Sequence, residues 1–353
     1  MASSRTDWPR VSIVIPVRNE APYIARNLEA VLAQDYPADR LEVLVADGRS
    51  EDGTRDIVER LAVARIAAAE GESNGATPIV LVDNPDRVMP AGTNAAIRRA
   101  SGEFILLLGG HASLPKNYVR ACVETLLESG ADGAGGAIES IGTGFTGEAI
   151  AMAMSSPFGI GNSGFRTARG GGGPTPADTL PFPVFRRAVY ERVGLYNPRM
   201  VRHQDYEFNY RVRESGGRLL LLPALKATYH VRPSLRALWK QYWQYGVWKG
   251  RFLRAHPKSL RFRHLVPSAF ALALVVSAVL SIFVPWARWA LLALAIPYAA
   301  FLLLGALSFA LRGKANVALL TPVVMVCLHL GYGLGVWIGL VQPPVPPAPR
   351  LGE

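Results

Sequence analysis

Short charge-free runs that stop abruptly at polar residues set the pattern of the first half of the chain. VSIVIPV, starting at Val11, ends in Arg18, Asn19 and Glu20, and VLVA, starting at Val43, ends in Asp47 and Gly48. Uninterrupted β-branched runs predict strands buried on both faces of a parallel sheet, each with a loop at its carboxyl end. Between them, residues 20–34 carry Ile24, Leu28, Val31 and Leu32 at helical spacing. The alternation continues with a helix over 51–69, a polar loop over 70–77, a strand over 79–82 and a helix over 89–101. A strand over 103–108 ends in Gly109-Gly110-His111-Ala112, and a helix covers 117–129. Residues 182–186 predict a further strand and 187–193 a short helix closed by Gly194. Such alternation predicts an α/β fold, a mostly parallel sheet with helices on both faces, whose ligands bind outside the carboxyl ends of the strands.

The second half follows other periods. Residues 159–177 are glycine-rich and predict a loop that packs no core, placed where a lid over a ligand would lie. Residues 234–252 set Leu235, Leu238, Tyr242, Tyr245, Trp248 and Phe252 on one helical stripe, with Arg236, Lys240 and Lys249 elsewhere. A basic helix with aromatic residues on its apolar side predicts an interfacial membrane helix. Three runs then have the length of membrane spans, at about 265–284, 289–311 and 315–341; a two-span variant with one hairpin re-entrant is also compatible with the sequence. The implied organisation is a catalytic domain over 1–225, an interfacial region over 226–264, a transmembrane region over 265–342 and a Pro-rich tail over 343–353.

Charge sharpens this picture. The net charge of +11 is concentrated in residues 226–263, which hold ten Lys or Arg and no Asp or Glu. A basic block directly before a hydrophobic stretch points to anionic lipid headgroups on the cytoplasmic side rather than to nucleic acid. The first domain is then cytoplasmic and the tail exterior, in a multi-pass protein of a bacterial cell membrane. Cys122 and Cys327 are too few and too far apart for a disulfide framework or a cysteine-based metal site.

Two motifs carry the chemistry. The run from Pro16 to Glu20 and the run from Asp47 to Thr54 together resemble the opening of the family 2 inverting glycosyltransferases, which have the GT-A fold. In that family the first strand ends in Pro-x-x-Asn-Glu and the second in Asp-Gly-x-Ser-x-Asp-Gly-Thr. The resemblance, strongest to the membrane-bound succinoglycan and exopolysaccharide branch, covers residues 8–255. It implies that Pro16, Arg18, Asn19, Glu20 and Asp47 contact the nucleotide donor, joined by Arg87, Gly92, Asn94 and Gly110. It places the general base at Asp205, in a segment similar to Glu-Asp-x-Glu-Leu where Gln204 replaces the leading Glu. Glu207 follows, an i, i+4 partner for Arg211 and a candidate at the diphosphate or acceptor.

The usual Asp-x-Asp that holds a divalent cation is similar to Asp-x-His-Ala in this branch, and here its first Asp is Gly109. His111 and His230 are then the candidate ligands for Mn²⁺ or Mg²⁺, although hard cations favour oxygen. On the basic helix, Gln244 and Trp248 match Gln-x-x-Arg-Trp, a diphosphate and acceptor motif, with Val247 where the Arg stands. The implied partners are a nucleoside-diphosphate sugar (UDP-linked), a lipid-linked or glycan acceptor and membrane lipids; an oligomer is compatible with the sequence. A scaffold of the same fold with weakened catalysis, binding nucleotide or a partner protein, is the alternative that Gly109 and Gln204 motivate. Three spans cannot by themselves line a polymer channel, which disfavours an exporting synthase.

Overall fold

The computed structural model describes residues 7–69, 76–168 and 171–348. Strands and helices alternate as β1 (Val11–Val17), α1 (Ala21–Leu32), β2 (Leu41–Asp47), α2 (Thr54–Ala69), β3 (Ile79–Asp83), α3 (Met89–Arg99), β4 (Phe104–Leu107), α4 (Tyr118–Ser129) and β5 (Gly133–Ile141). Three helices follow, α5 (Gly144–Met154), α6 (Pro157–Ile160) and α7 (Gly164–Thr167), then β6 (Thr175–Pro176), β7 (Val184–Arg186), α8 (Arg187–Val193), α9 (Gln204–Glu214) and β8 (Leu219–His230). The remainder is helical: α10 (Leu235–Ala255), α11 (Phe262–Phe283), α12 (Ala287–Phe309), α13 (Ala315–Ala318) and α14 (Thr321–Val341). The 70–77 loop and the glycine-rich segment lie partly outside the described residues, as does the end of the Pro-rich tail.

The strands form one sheet in the order β3-β2-β1-β4-β7-β5-β8-β6. β3, β2, β1 and β4 are parallel; β7 runs antiparallel to β4 and β5, and β6 antiparallel to β8. The sheet is therefore mixed, and its parallel character belongs to the first four strands. All seven residues of β1 are buried, because α1 packs Ile24, Leu28 and Val31 on the sheet while other helices cover the opposite face. In register, Val17 lies beside Asp47 and Asp47 beside Asp83, so three carboxyl ends finish level.

Two strands escape the hydrophobic pattern. β5 reads Gly-Ala-Gly-Gly-Ala, and the missing side chains admit neighbours: a Cβ on Gly136 would lie 2.8 Å from the Tyr118 ring. β8 carries Pro223 and Lys226 in its middle.

The chain divides into two compact units. The first comprises residues 1–138 and 168–229 with the last residues from 347; the second comprises 139–167 and 230–346. The sequence places residues 139–167 with the catalytic domain, whereas α5, α6 and α7 belong to the second unit. There His329 of α14 holds α6 in place. Its Nε2 lies 3.1 Å from the Gly159 carbonyl and its Nδ1 3.0 Å from the Tyr298 hydroxyl. An Nε2–H tautomer donates to the carbonyl and accepts from the hydroxyl, satisfying both nitrogens.

The basic helix packs differently from the expected lone interfacial helix. α10 runs parallel to α14 with the two backbones in contact. Cβ atoms on Gly246 and Gly250 would collide with the carbonyls of Tyr332 and Val336, and ones on Gly335 and Gly339 with those of Trp243 and Val247. Small residues four apart on both helices allow this approach. Trp248 lies away from the glycine row of α10, and the Arg251 guanidinium stacks 4.4 Å above its ring. Three helices are long and apolar enough to cross a membrane: His264–Phe283, Ala287–Ala318 and Thr321–Val341. The second runs past the expected turn at 312–314, where Gly313 (φ +80°) kinks it, and the third starts later than the expected 315.

If the seam sets the second unit, Gly250→Leu overpacks it and costs about 1–3 kcal/mol or more. The purified variant in detergent should melt several degrees below wild type, while Ala255→Leu, off the seam, should not. Equal melting temperatures for Gly250→Leu and wild type would mean that α10 and α14 are not held together.

Candidate active site at the strand ends

Two loops close over the carboxyl ends of β1 and β2 by exchanging hydrogen bonds. Asn19 N donates to Ser50 Oγ (2.9 Å), Glu20 N to Thr54 Oγ1 (2.8 Å) and Ala21 N to Asp52 Oδ2 (3.0 Å), while Glu51 N donates to Asn19 Oδ1 (3.0 Å). Asp47 turns inward and accepts from Ser50 N and Ser50 Oγ, the latter at 2.6 Å. Its side chain has no exposed surface, and Arg55 lies 3.9 Å away, equally close to Asp83. The Thr54 hydroxyl and backbone bonds hold the Asp52 carboxyl below its usual range. Asn19 and Asp47, both expected at the nucleotide, also brace the two loops through their side chains. Pro16 is buried within β1 beside Ala46, one residue short of the strand end.

The exposed groups on these loops carry both signs: Glu51, Asp52, Asp83 and Asp86 stand among three arginines. Arg18, Arg49 and Arg87 follow β1, β2 and β3, and all three are exposed. Gly48 draws the loops together, as a Cβ there would lie 3.2 Å from Arg18 Cβ and 3.4 Å from Arg87 Cα. Asn19, Arg49 and Arg87 have φ of +55°, +55° and +59°, a strained conformation that persists only where the frame imposes it. Arg49 occupies the variable position of its motif, and nothing in the sequence marks it.

Gly92 and Asn94, both expected at the donor, make contacts that hold the frame. A Cβ on Gly92 would lie 2.7 Å from Asn84 Nδ2. Asn94 is buried and clamps the backbone of Tyr196, donating to its carbonyl (2.7 Å) and accepting from its N–H (2.9 Å). Tyr196 stacks on Phe208 of α9, ring centroids 4.4 Å apart, and burial pushes its hydroxyl well above the usual range. This clamp ties α3 to the base of α9.

α9 begins beside the β3–α3 loop, where Gln204 Nε2 lies 3.2 Å from Met89 Sδ. Asp205 is exposed on the first turn of α9, where the helix dipole favours its negative charge. Glu207 points the other way. It is 3% exposed and grips Arg211, which also donates to the carbonyls of Val193 and Leu195. That placement corrects the expectation that Glu207 faces the diphosphate or acceptor.

At the end of β4, His111 Nδ1 lies 3.0 Å from Glu20 Oε1, with Tyr23 and Tyr229 flanking the ring. Asn27, a polar residue in the apolar stripe of α1, donates to the carbonyls of Gly109 (3.1 Å) and Ala112 (2.6 Å) and shapes this turn. Sequence reasoning passed over Asn27, although an amide among Ile24, Leu28 and Val31 is itself a signal. The two glycines differ. A Cβ on Gly110 would lie 2.8 Å from Val17 and 3.2 Å from Glu20, so Gly110 permits a close approach. A Cβ on Gly109 would meet only Phe182, at 3.9 Å, so that position has room for a carboxylate and lacks one.

The donor set does not form a cage for a divalent cation. His111 is engaged by Glu20 rather than by His230, which belongs to the second unit, and no cluster of three His, Cys, Asp or Glu occurs among the described residues. Gln244 and Trp248 also lie in the second unit.

A model of glycosyl transferase family 2 matches residues 12–194. The succinoglycan biosynthesis protein ExoA of Rhizobium meliloti (strain 1021) is 28% identical over 337 residues, 94% of each chain. A dolichyl N-acetyl-α-D-glucosaminyl phosphate 3-β-D-2,3-diacetamido-2,3-dideoxy-β-D-glucuronosyltransferase of Methanococcus voltae is 25% identical over 338 residues, covering 94% of this chain and 97% of that one. Among solved structures, the mannosyltransferase PcManGT of Pyrobaculum calidifontis, in complex with GDP-Man and Mn²⁺, superposes with a TM-score of 0.57 at 20% identity. The match covers 95% of this chain and 88% of that one, and establishes the shared GT-A fold.

Two outcomes follow from this geometry. Asn94→Ala leaves the Tyr196 N–H and carbonyl unpaired, so stability should fall by about 1–3 kcal/mol per group in urea unfolding, with nucleotide affinity of the folded protein unchanged. A matching loss of affinity would return Asn94 to the ligand. Wild type should bind Mn²⁺ feebly without nucleotide in calorimetry, and Gly109→Asp should tighten that binding. Tight binding by wild type would reveal a carboxylate cage that the donor set does not contain.

Proposed function

Because the chain belongs to glycosyl transferase family 2, and is a glycosyltransferase with the GT-A fold, we propose that it transfers a sugar with inversion from a nucleoside-diphosphate sugar, UDP-linked, to a lipid-linked or glycan acceptor at the cytoplasmic membrane face. The process is cell-surface polysaccharide or glycolipid synthesis. The full-length likeness to a succinoglycan biosynthesis protein and to a transferase named for a lipid-phosphate-linked sugar supports that setting.

One observation carries the reading: Asp205, an exposed carboxylate on the first turn of α9, is held beside the strand-end loops by the Gln204–Met89 and Asn94–Tyr196 contacts. In the proposed reaction the acceptor hydroxyl attacks the anomeric carbon from the face opposite the diphosphate. Asp205 takes the hydroxyl proton as the new C–O bond forms. The bond from the anomeric carbon to the diphosphate oxygen breaks, and the nucleoside diphosphate leaves with that electron pair. Arg18, Arg49 and Arg87 are exposed at the strand ends, among the carboxylates of Glu51, Asp52, Asp83 and Asp86, and are the cations there that an anionic donor would meet. The Glu20–His111 pair at the end of β4 is assigned to the donor side in this reading. No step is routed through a metal, since the residues present do not form a site for one.

Nucleotide release from a panel of UDP-, GDP- and dTDP-sugars, with an acceptor lipid extract, tests the assignment. Asp205→Asn should lower turnover by about 10²–10⁴ with donor affinity retained. Near-normal turnover would remove Asp205 from the role of base. No release by wild type from any donor would favour the scaffold reading, which Gly109 and Gln204 support.

A further inference from the structure

The seam between α10 and α14 bears on how the second unit meets a membrane. By length and composition α14 is a third span, and the sequence alone puts the tail beyond Pro343 on the exterior. Its surroundings differ from those of the other two candidates. In the α11 and α12 windows 11% of residues are buried, against 44% in α14. What buries α14 includes α10, a helix with five cations: Arg236, Lys240, Lys249, Arg251 and Arg254.

The register of the two helices is fixed at four points. Trp239 lies against Gly331, Gly246 against Tyr332 and Gly335, Gly250 against Val336 and Leu340, and Arg254 against the last carbonyls of α14. Because they run parallel, the first turn of α10, with exposed Arg236 and Lys240, lies level with the middle of α14. If α14 crossed the bilayer, both cations and the chain leaving β8 would be at mid-membrane, where charged side chains are strongly disfavoured. The far end is equally polar. Arg254 donates to the carbonyls of Leu340 and Gln342, and Arg251 to that of Pro343. Two guanidiniums closing a helix C-terminus suit the headgroup layer.

We infer that α10 and α14 form a paired platform lying in the anionic headgroup layer on the catalytic side, and that α11 and α12 alone cross, as a hairpin. Arg236 and Lys240 face the phosphates of that layer, and the outward side of α14, with Ile338 and Val341, enters the acyl boundary, while Trp337 donates to the Ser268 carbonyl of α11. The chain then crosses twice, and its C-terminus returns to the side of the catalytic unit. This rests on the membrane setting proposed above but not on the chemistry.

Topology mapping of the full-length chain decides it. One form carries an N-terminal epitope, one a C-terminal epitope, and one Trp286→Cys in the exposed link between α11 and α12. Protease is applied to spheroplasts and to inverted membrane vesicles. A membrane-impermeant maleimide reads the thiol introduced at position 286, against the same chain without the substitution. Both epitopes should be cut in inverted vesicles alone, and the introduced thiol labelled from the outside alone. The C-terminal epitope sharing a side with position 286 would establish a third crossing and overturn the platform. All three sites on one side, or release of the chain by alkaline carbonate, would overturn it as well. Nucleotide release measured on the same vesicles keeps a failure of the glycosyltransfer reading separate from a failure of this one.

Discussion

The strand-end site depends on where the first backbone N–H groups of α1 find acceptors. A helix leaves its opening N–H groups without intrahelical partners, and the residue at the start of the helix commonly supplies the cap. Glu20, at that position, makes no side-chain cap. For Ala21, the first N–H of α1, the acceptor comes from the other loop, in Asp52, while Ser50 and Thr54 accept from Asn19 and Glu20 just before the helix. This exchange locks the β1 and β2 ends into one rigid edge and frees the Glu20 carboxylate to reach His111. It also gives the side chains of Asn19, Ser50, Asp52 and Thr54 a structural task in holding the two loops together. The exposed arginines and Asp205 are then mounted on a frame set before any substrate arrives.

Much of the catalytic half was legible in the sequence. β1, β2, β4 and α1 appear as uninterrupted apolar runs or a helical stripe, since both faces of the sheet are covered. The motifs located the strand ends. What they could not separate was a residue that contacts a ligand from one that braces a loop, because both are polar, local and fixed in spacing. Asp47, Asn94 and Glu207 all make bracing contacts, through partners up to 102 residues away in the chain. β5 and β8 stayed hidden for opposite reasons, one because glycine deletes the apolar signal, the other because a proline and a lysine interrupt it.

The second half shows a different limit. Hydropathy measures what a helix segment is made of, and α14 reads as a span on that measure. Its neighbours decide its place. Each cation at the centre of a bilayer costs about 2.5–3.5 kcal/mol on insertion scales, and the glycine seam fixes two of them level with the middle of α14. The glycines responsible, at 246, 250, 335 and 339, look ordinary one by one. They acquire meaning only as facing rows on two helices far apart in the chain.

The excursion of α5 and α6 out of the catalytic sheet has a consequence for biosynthesis. The Gly159 carbonyl and the His329 ring that receives it are 170 residues apart. At ribosomal rates of about 5–20 residues per second, the apolar face of α5 emerges roughly 10–30 s before its partner helix exists. For that interval the nascent chain carries, between β5 and the strands that complete the sheet, an apolar segment with nothing to cover it. A holding factor on the ribosome or early contact with the membrane would have to shield it. Translation speed between α5 and α14 thus becomes a determinant of yield, independent of the stability of the finished protein.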